Sequence, residues 1–251
     1  MCQLLGISSN REVDLNFSFR EWRHRGRTNP HGYGFACWNT DGPRIVKAAS
    51  SLFKAGTGDV SEVRAARSRM FLCHVRLATS GGKDGTNTHP FTARARGRDF
   101  VFAHNGTVEG IKLWPLRRHA PAGETDSEHA FLWIMEHIED VPEKDFSSSL
   151  RRLAGEVRRL GRFNFLLSDG KTLWAYADNS LHFAERTPPY GGELVRLMEE
   201  GYAVSLAEVK RPDERAVIVA TAPLTDEPGW SGMSPGELLV VRDGAVIERI
   251  G

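Results

Sequence analysis

The order in which the apolar runs of this chain change their period constrains its fold more than any other feature. Strand-like runs come first, at 2–7, 32–39, 45–49, 70–77 and 100–104, each bounded by turn-forming or polar residues. Helical periodicity then takes over. Thr125-Asp126-Ser127-Glu128 has the spacing of a capping box ahead of Ala130, Phe131, Ile134, Met135 and Ile138, and 147–160 repeats the pattern with Leu150, Leu153, Val157 and Leu160. Strands return at 163–168, 172–177, 181–185, 216–221, 237–241 and 245–250. Strands, then helices, then strands, without regular βαβ alternation, predict an α+β fold with substantial antiparallel sheet.

The intervening segments are read in the same way. Residues 59–69 are expected to be helical, capped by Asp59 or Ser61, and the stretch holding Phe17, Phe19 and Trp22 reads as a short helix or loop with a basic exit, Arg23-His24-Arg25-Gly26-Arg27. Arg94, Arg96 and Arg98 alternate as one solvated face of a hairpin end would. Residues 79–88 are too polar and Gly-rich to pack, which suits a mobile lid. No internal repeat, low-complexity tract or Pro-rich linker divides the chain, so a single domain over 1–251 is expected.

Charge and composition exclude several classes of function. The 251 residues carry 33 Lys plus Arg against 32 Asp plus Glu, a net charge of +1, so there is no overall positive excess for phosphate backbones and no nucleic-acid partner is expected. No apolar run approaches the roughly 18 residues of a membrane span, and the N-terminus lacks a basic segment followed by an apolar core. A cytoplasmic location is the expectation. Three cysteines without a CxxC pair suggest neither disulfides nor the usual zinc site. His31, His74, His89 and His104 match no metal-binding spacing either, and no metal or other cofactor is expected. Cys37 and Cys73 lie in strand-like runs and read as small core hydrophobes.

Cys2 differs because of where it stands. Removal of Met1 gives it a free α-amine beside its own thiol, with ordinary pKa values of roughly 7.7–8 and about 8.5, so the nucleophile carries its own base. Three clusters supply the rest of a site. Arg76, in His74-Val75-Arg76-Leu77-Ala78-Thr79, ends a strand where a guanidinium can grip a carboxylate in bidentate fashion. His104-Asn105-Gly106 also ends a strand; it offers an amide side chain and a glycine N–H to an oxyanion, or else is an ordinary Asn-Gly hairpin turn. Asp126 opens a helix, where it either binds an ammonium group or compensates the helix dipole.

Together these segments resemble the class II glutamine amidotransferase domain of the N-terminal nucleophile hydrolases. The matching residues are Met1-Cys2, His74 to Thr79, Asn87-Thr88-His89-Pro90-Phe91, His104-Asn105-Gly106 and Thr125-Asp126-Ser127-Glu128, in the family order. The opening ten residues, Phe17-Ser18-Phe19 and Phe163 to Gly170 are similar to the stand-alone YafJ-type members, and the resemblance covers nearly the whole chain. It implies a four-layer αββα sandwich. It also implies Cys2 as nucleophile, its α-amine as base, Asn105 and Gly106 for the oxyanion, and a substrate-binding set of Arg76, Asp126, Thr79 and His89. The implied substrate is a small molecule, glutamine or another γ-glutamyl amide as in the similar ergothioneine-pathway enzymes. A non-catalytic glutamine-binding protein is the remaining alternative, and a separate acceptor or synthase subunit is the implied partner. His31-Gly32-Tyr33-Gly34 departs from the usual Asp-Gly-Trp-Gly, keeping both glycines but losing the acidic and indole groups.

Overall fold

In β4 (Arg67–Arg76), Met70 to Arg76 is buried throughout, and its side chains divide by parity between two separate cores. Met70 and Leu72 pack into one cluster; Phe71, Cys73 and Val75 pack into another on the opposite face. A strand covered on both faces reads as a continuous apolar run, because alternation has no solvent side to report. The computed structural model describes all residues, Met1–Gly251. In chain order the remaining strands are β1 (Gln3–Asp14), β2 (Gly32–Asn39), β3 (Gly42–Ala48), β5 (Phe91–Ala95), β6 (Arg98–Val108), β7 (Gly161–Ser168), β8 (Thr172–Tyr176) and β9 (His182–Arg186). They continue with β10 (Leu194–Arg196), β11 (Ala203–Ser205), β12 (Ala216–Ala220), β13 (Trp230–Gly232), β14 (Leu238–Arg242) and β15 (Ala245–Ile250). The helices are α1 (Asn16–Trp22), α2 (Ser61–Ala65), α3 (Asp126–Ile138), α4 (Phe146–Arg158) and α5 (Leu206–Val209).

Two antiparallel sheets stack face to face. One has seven strands in the order β13-β9-β12-β1-β4-β2-β3, the other six in the order β15-β14-β8-β7-β6-β5. Leu4, Leu72 and Val219 of the first sheet meet Val101, Leu166 and Leu239 of the second in the central core. Phe100, Phe102, Phe163 and Phe165 turn the other way, against Phe131, Ile134 and Met135 of α3 and Leu150 and Leu153 of α4. On the far side of the first sheet, Phe35 and Phe71 pack against Phe19 and Trp22 around α1. Four layers with three cores result, the αββα sandwich that the resemblance implied. No helix is long and apolar enough to cross a membrane.

Several local expectations are corrected. The helix expected over 59–69 is confined to Ser61–Ala65, because β1 runs on to Asp14 and draws 67–69 into the sheet through Val13↔Ser68 and Asp14↔Arg67. Arg96 and Arg98 do not form a solvated face. Arg96-Gly97 is a tight turn with both φ angles positive, and the Arg96 guanidinium donates to the carbonyls of Ile138 and Glu139 at the end of α3, while Arg98 reaches Glu143 and Asp169. The capping box is half formed. Thr125 Oγ1 accepts from Glu128 N at 3.1 Å, but the Glu128 carboxylate accepts from Ala122 N and Gly123 N instead of returning to Thr125.

Gly34 lets β2 touch the segment leading into β5. A Cβ there would lie 2.0 Å from the His89 carbonyl oxygen and 2.7 Å from Pro90 Cδ. Gly34→Ala is therefore expected to lower unfolding free energy by about 1–3 kcal/mol in urea melts. Gly58→Ala, with no neighbour within 4 Å of the added carbon, is expected to change it by less than about 0.5 kcal/mol. Equal effects of the two substitutions would contradict the close approach.

Candidate active site

The first residues of β1 bring the thiol to the end of β4. Gln3 pairs with Val75, which sets Cys2 beside Leu77, whose N–H donates to Cys2 Sγ at 3.3 Å while the thiol faces the Leu77 carbonyl at 3.4 Å. Burial pushes the Cys2 thiol pKa up; the Leu77 N–H, the chain N-terminus and the Arg76 guanidinium oppose that rise. Cys2 opens into a cavity of about 300 Å³ shared with Thr79, Asn105, Gly106, Thr107 and Arg162. That is the size of a small-molecule site.

The Asn-Gly turn reading does not hold, because β6 runs on to Val108 and pairs Asn105 with Asn164 and Gly106 with Phe163. Asn105 is 1% exposed, and its Nδ2 has no hydrogen-bond partner. An unpaired buried donor costs about 1–3 kcal/mol. Gly106 contributes through its backbone. Glu109 N donates toward β7 at Leu160 O and Val108 N donates away from it to Asp126 Oδ2, so strand alternation turns the Gly106 N–H away from β7, along the edge that β5 leaves uncovered. A Cβ at Gly106 would sit 1.8 Å from the Arg162 carbonyl oxygen.

Asn164 is a supporting residue that the sequence reading left without a role. Its Nδ2 donates to Asn105 O and Asn179 Oδ1, and its Oδ1 accepts from the backbone N–H groups of Asp178, Asn179 and Ser180. A fully buried asparagine within the apolar run of β7 was the available signal.

Arg76 is buried, not a surface arginine. Its two terminal nitrogens donate to Gly82 O at 2.8 Å and Ser80 O at 2.9 Å, folding the following loop back over the strand end, and burial lowers its pKa. That loop is more fixed than its composition suggests. Asp84, held down to about 2 by hydrogen bonds from Thr86 and Asn87, organises its turn, and Asn87 Oδ1 accepts from Glu124 N just ahead of α3. Asp126 is buried at the start of α3 and faces an adjoining cavity of about 470 Å³ that also includes Ser80 and Lys112. Thr107 lines both cavities, and its hydroxyl lies 3.2 Å from that of Thr79.

Cys2, Thr79, Asn105 and Gly106 thus share one cavity, with Asp126 in the next and Arg76 behind the loop between them. His89 is not brought to either. It lies packed below, its ring 4.2 Å from His74 and 4.4 Å from Phe91, with neither nitrogen hydrogen-bonded. His104 meets Ser127 Oγ at 2.8 Å and Arg162 O at 3.1 Å. His31 uses Nδ1 to accept from Ala78 N at 3.0 Å, which fixes the backbone after Arg76.

The four-layer arrangement and a thiol at the chain start beside an unpartnered amide donor define an N-terminal nucleophile hydrolase architecture. A family model for the class II glutamine amidotransferases matches residues 1–250. An uncharacterized protein of Methanocaldococcus jannaschii is 36% identical over 255 residues, covering 98% of this chain and 71% of that one. YafJ of Escherichia coli K12, named as a glutamine amidotransferase, is 33% identical over 246 residues, 94% of this chain and 96% of its own. The crystal structure of a protein named as a predicted glutamine amidotransferase from Pseudomonas aeruginosa superposes with a TM-score of 0.72 at 25% identity, covering 98% of this chain and 100% of that one. A glutamine phosphoribosylpyrophosphate amidotransferase of Bacillus subtilis shares the fold over 49% of its chain, with a TM-score of 0.63 at 16% identity. The chain belongs to the class II glutamine amidotransferases, a family of enzymes.

Burial lowers the pKa of His74 to about 3 and depresses those of His89 and His104 in the same direction. Each is neutral in the folded protein and takes up a proton on unfolding below about 6.5, the ordinary histidine value. Their contribution to stability is complete above that value and is lost as pH falls, by up to about 1.4 kcal/mol per pH unit for a histidine that stays neutral. Urea melts at pH 6.5 and pH 5 are expected to show the loss, in a window above the ordinary carboxylate range. Equal stabilities would contradict the neutral buried cluster.

Proposed function

We propose that the chain, acting as one domain over 1–251, hydrolyses the γ-carboxamide of L-glutamine through a γ-glutamyl thioester on Cys2. In this reading Met1 is removed and the freed α-amine of Cys2 takes the thiol proton. The sulfur attacks the γ-carbonyl carbon, Asn105 Nδ2 and the Gly106 N–H stabilise the oxyanion, and collapse expels ammonia with the transferred proton. Water then cleaves the thioester to glutamate and restores the thiol. The observation that carries the proposal is the buried, unpartnered Asn105 amide in the same cavity as Cys2.

The two charged ends of glutamine suit the flanking groups. Arg76 spends two of its five donors on loop carbonyls and faces no carboxylate at ion-pair distance, which leaves its charge for the substrate α-carboxylate. One oxygen of Asp126 accepts from Val108 N, which leaves the other for an α-ammonium in the cavity that Asp126 lines. Thr79 adds a hydroxyl between them. His89 we assign to support, with no contact to substrate. Ammonia is passed to a separate acceptor or synthase subunit, or released, in the cytoplasm, where three unpaired thiols remain reduced.

Glutamine turnover by protein lacking Met1 is expected to vanish in Cys2→Ala and to fall in kcat by about 10²–10³ in Asn105→Ala. Arg76→Ala and Asp126→Ala are expected to lose turnover as well, and full retention in both would overturn the substrate pose. An electrophilic glutamine analogue should give one adduct on Cys2 by intact mass; labelling of Cys37 or Cys73 instead counts against the mechanism. A panel of γ-glutamyl amides decides the substrate. Glutamine is expected to rank first, and a faster amide would replace it.

A further inference from the structure

The six steps from Cys2 to Ser8 carry the chain about 20 Å along the sandwich, toward its opposite end. There, a polar cavity of about 400 Å³ lies where β1, β4, β6 and the turns after β7 and β14 converge. Ser8 and Ser9 are buried at its floor. The carboxylate of Asp169 is fully occupied: it accepts from the backbone N–H groups of Lys171 and Thr172 and pairs with Arg98 at 2.9 Å, and Arg98 also binds Glu143. These groups balance one another.

Three further cations face the same space without a counter-ion. Arg69 and Lys171 make no side-chain hydrogen bond or ion pair, and Arg242 spends only Nε, on Thr172 Oγ1 at 3.1 Å. Against them stands a single uncommitted carboxylate, Asp243. Arg215 approaches the same corner and donates to the Asp243 carbonyl. Like charges converging on a concavity repel unless an anion joins them, and two guanidinium forks with an ammonium suit phosphate oxygens.

We propose that this cavity binds a small phosphorylated anion at a site separate from the Cys2 cavity. Of the 11 residues that line it only one, Met70, is hydrophobic, and none is aromatic. A nucleobase would find nothing to stack on, and the volume is too small to track a nucleic-acid strand. The ligand is therefore polar throughout and carries at least two negative charges: inorganic pyrophosphate or a sugar phosphate.

Isothermal titration of the full-length protein with pyrophosphate and, separately, with ribose 5-phosphate tests this. At least one probe is expected to bind one per chain, more weakly as salt rises, and about tenfold or more weakly in the Arg69→Ala/Lys171→Ala double variant. Tighter binding of pyrophosphate identifies an inorganic ligand, and tighter binding of ribose 5-phosphate a phosphorylated metabolite. Both lost side chains are exposed and unpaired, so the double variant should keep the wild-type melting temperature. Arg242→Gln gives an independent reading, and Arg152→Ala on α4 should leave binding unchanged. No saturable binding of either probe, equal affinity in the double variant and wild type, or displacement of the probe by a tighter-binding single-stranded oligonucleotide would overturn the proposal.

Discussion

Burial of both faces of the central strands governs this molecule. Because β4 and β6 lie between two other layers, every residue along them must satisfy one core or the other, and only their ends escape. The polar residues of the candidate site accordingly stand near strand ends or at the starts of elements: Cys2 before β1, Arg76 at the end of β4, Asn105 and Gly106 among the last residues of β6, and Asp126 at the first position of α3. Antiparallel pairing of β1 with β4 and of β6 with β7 then brings the strand ends together, and the loop after β4 adds Thr79 and Ser80 to the cavity walls. Register fixes geometry here, since a one-residue slip of β6 would exchange the helix-facing phenylalanines for the small residues of the central core.

The polar layer at that end carries a cost that the apolar cores offset. Asn105 Nδ2 and both nitrogens of His74 and His89 are buried without partners. Asn164 limits the damage by holding the Asn105 backbone and three N–H groups of the 178–180 turn at once. In the proposed reaction, a donor held in this way would need no reorganisation as charge develops in front of it.

Much of this was legible in the sequence, and the failures have physical causes. Two-sided burial gives continuous apolar runs, so the strand at 32–39 and the helix opening at Asp126 were read correctly from local pattern and capping chemistry. The segment 59–69 was misread because its fate is decided by a distant strand, β1, which propensity cannot see. The small β10–β11 hairpin has only three residues per strand, too few for a period to register. Of the candidate residues, Cys2, Asn105 and Asp126 could be placed at the two cavities from residue type and position. His89 sits in an equally suggestive motif yet points into the packing, and Asn164 acts only through neighbours supplied by tertiary structure.

The contact between Thr79 and Thr107 has a further consequence. Two hydroxyls bring two protons, and their mutual hydrogen bond uses one. The other is free, and whichever threonine does not donate to its neighbour can offer it. Since Thr107 borders both cavities while Thr79 borders only that of Cys2, a flip of this pair moves a hydrogen-bond donor from one chamber toward the other. Acceptors placed in the two cavities would therefore draw on that one free proton.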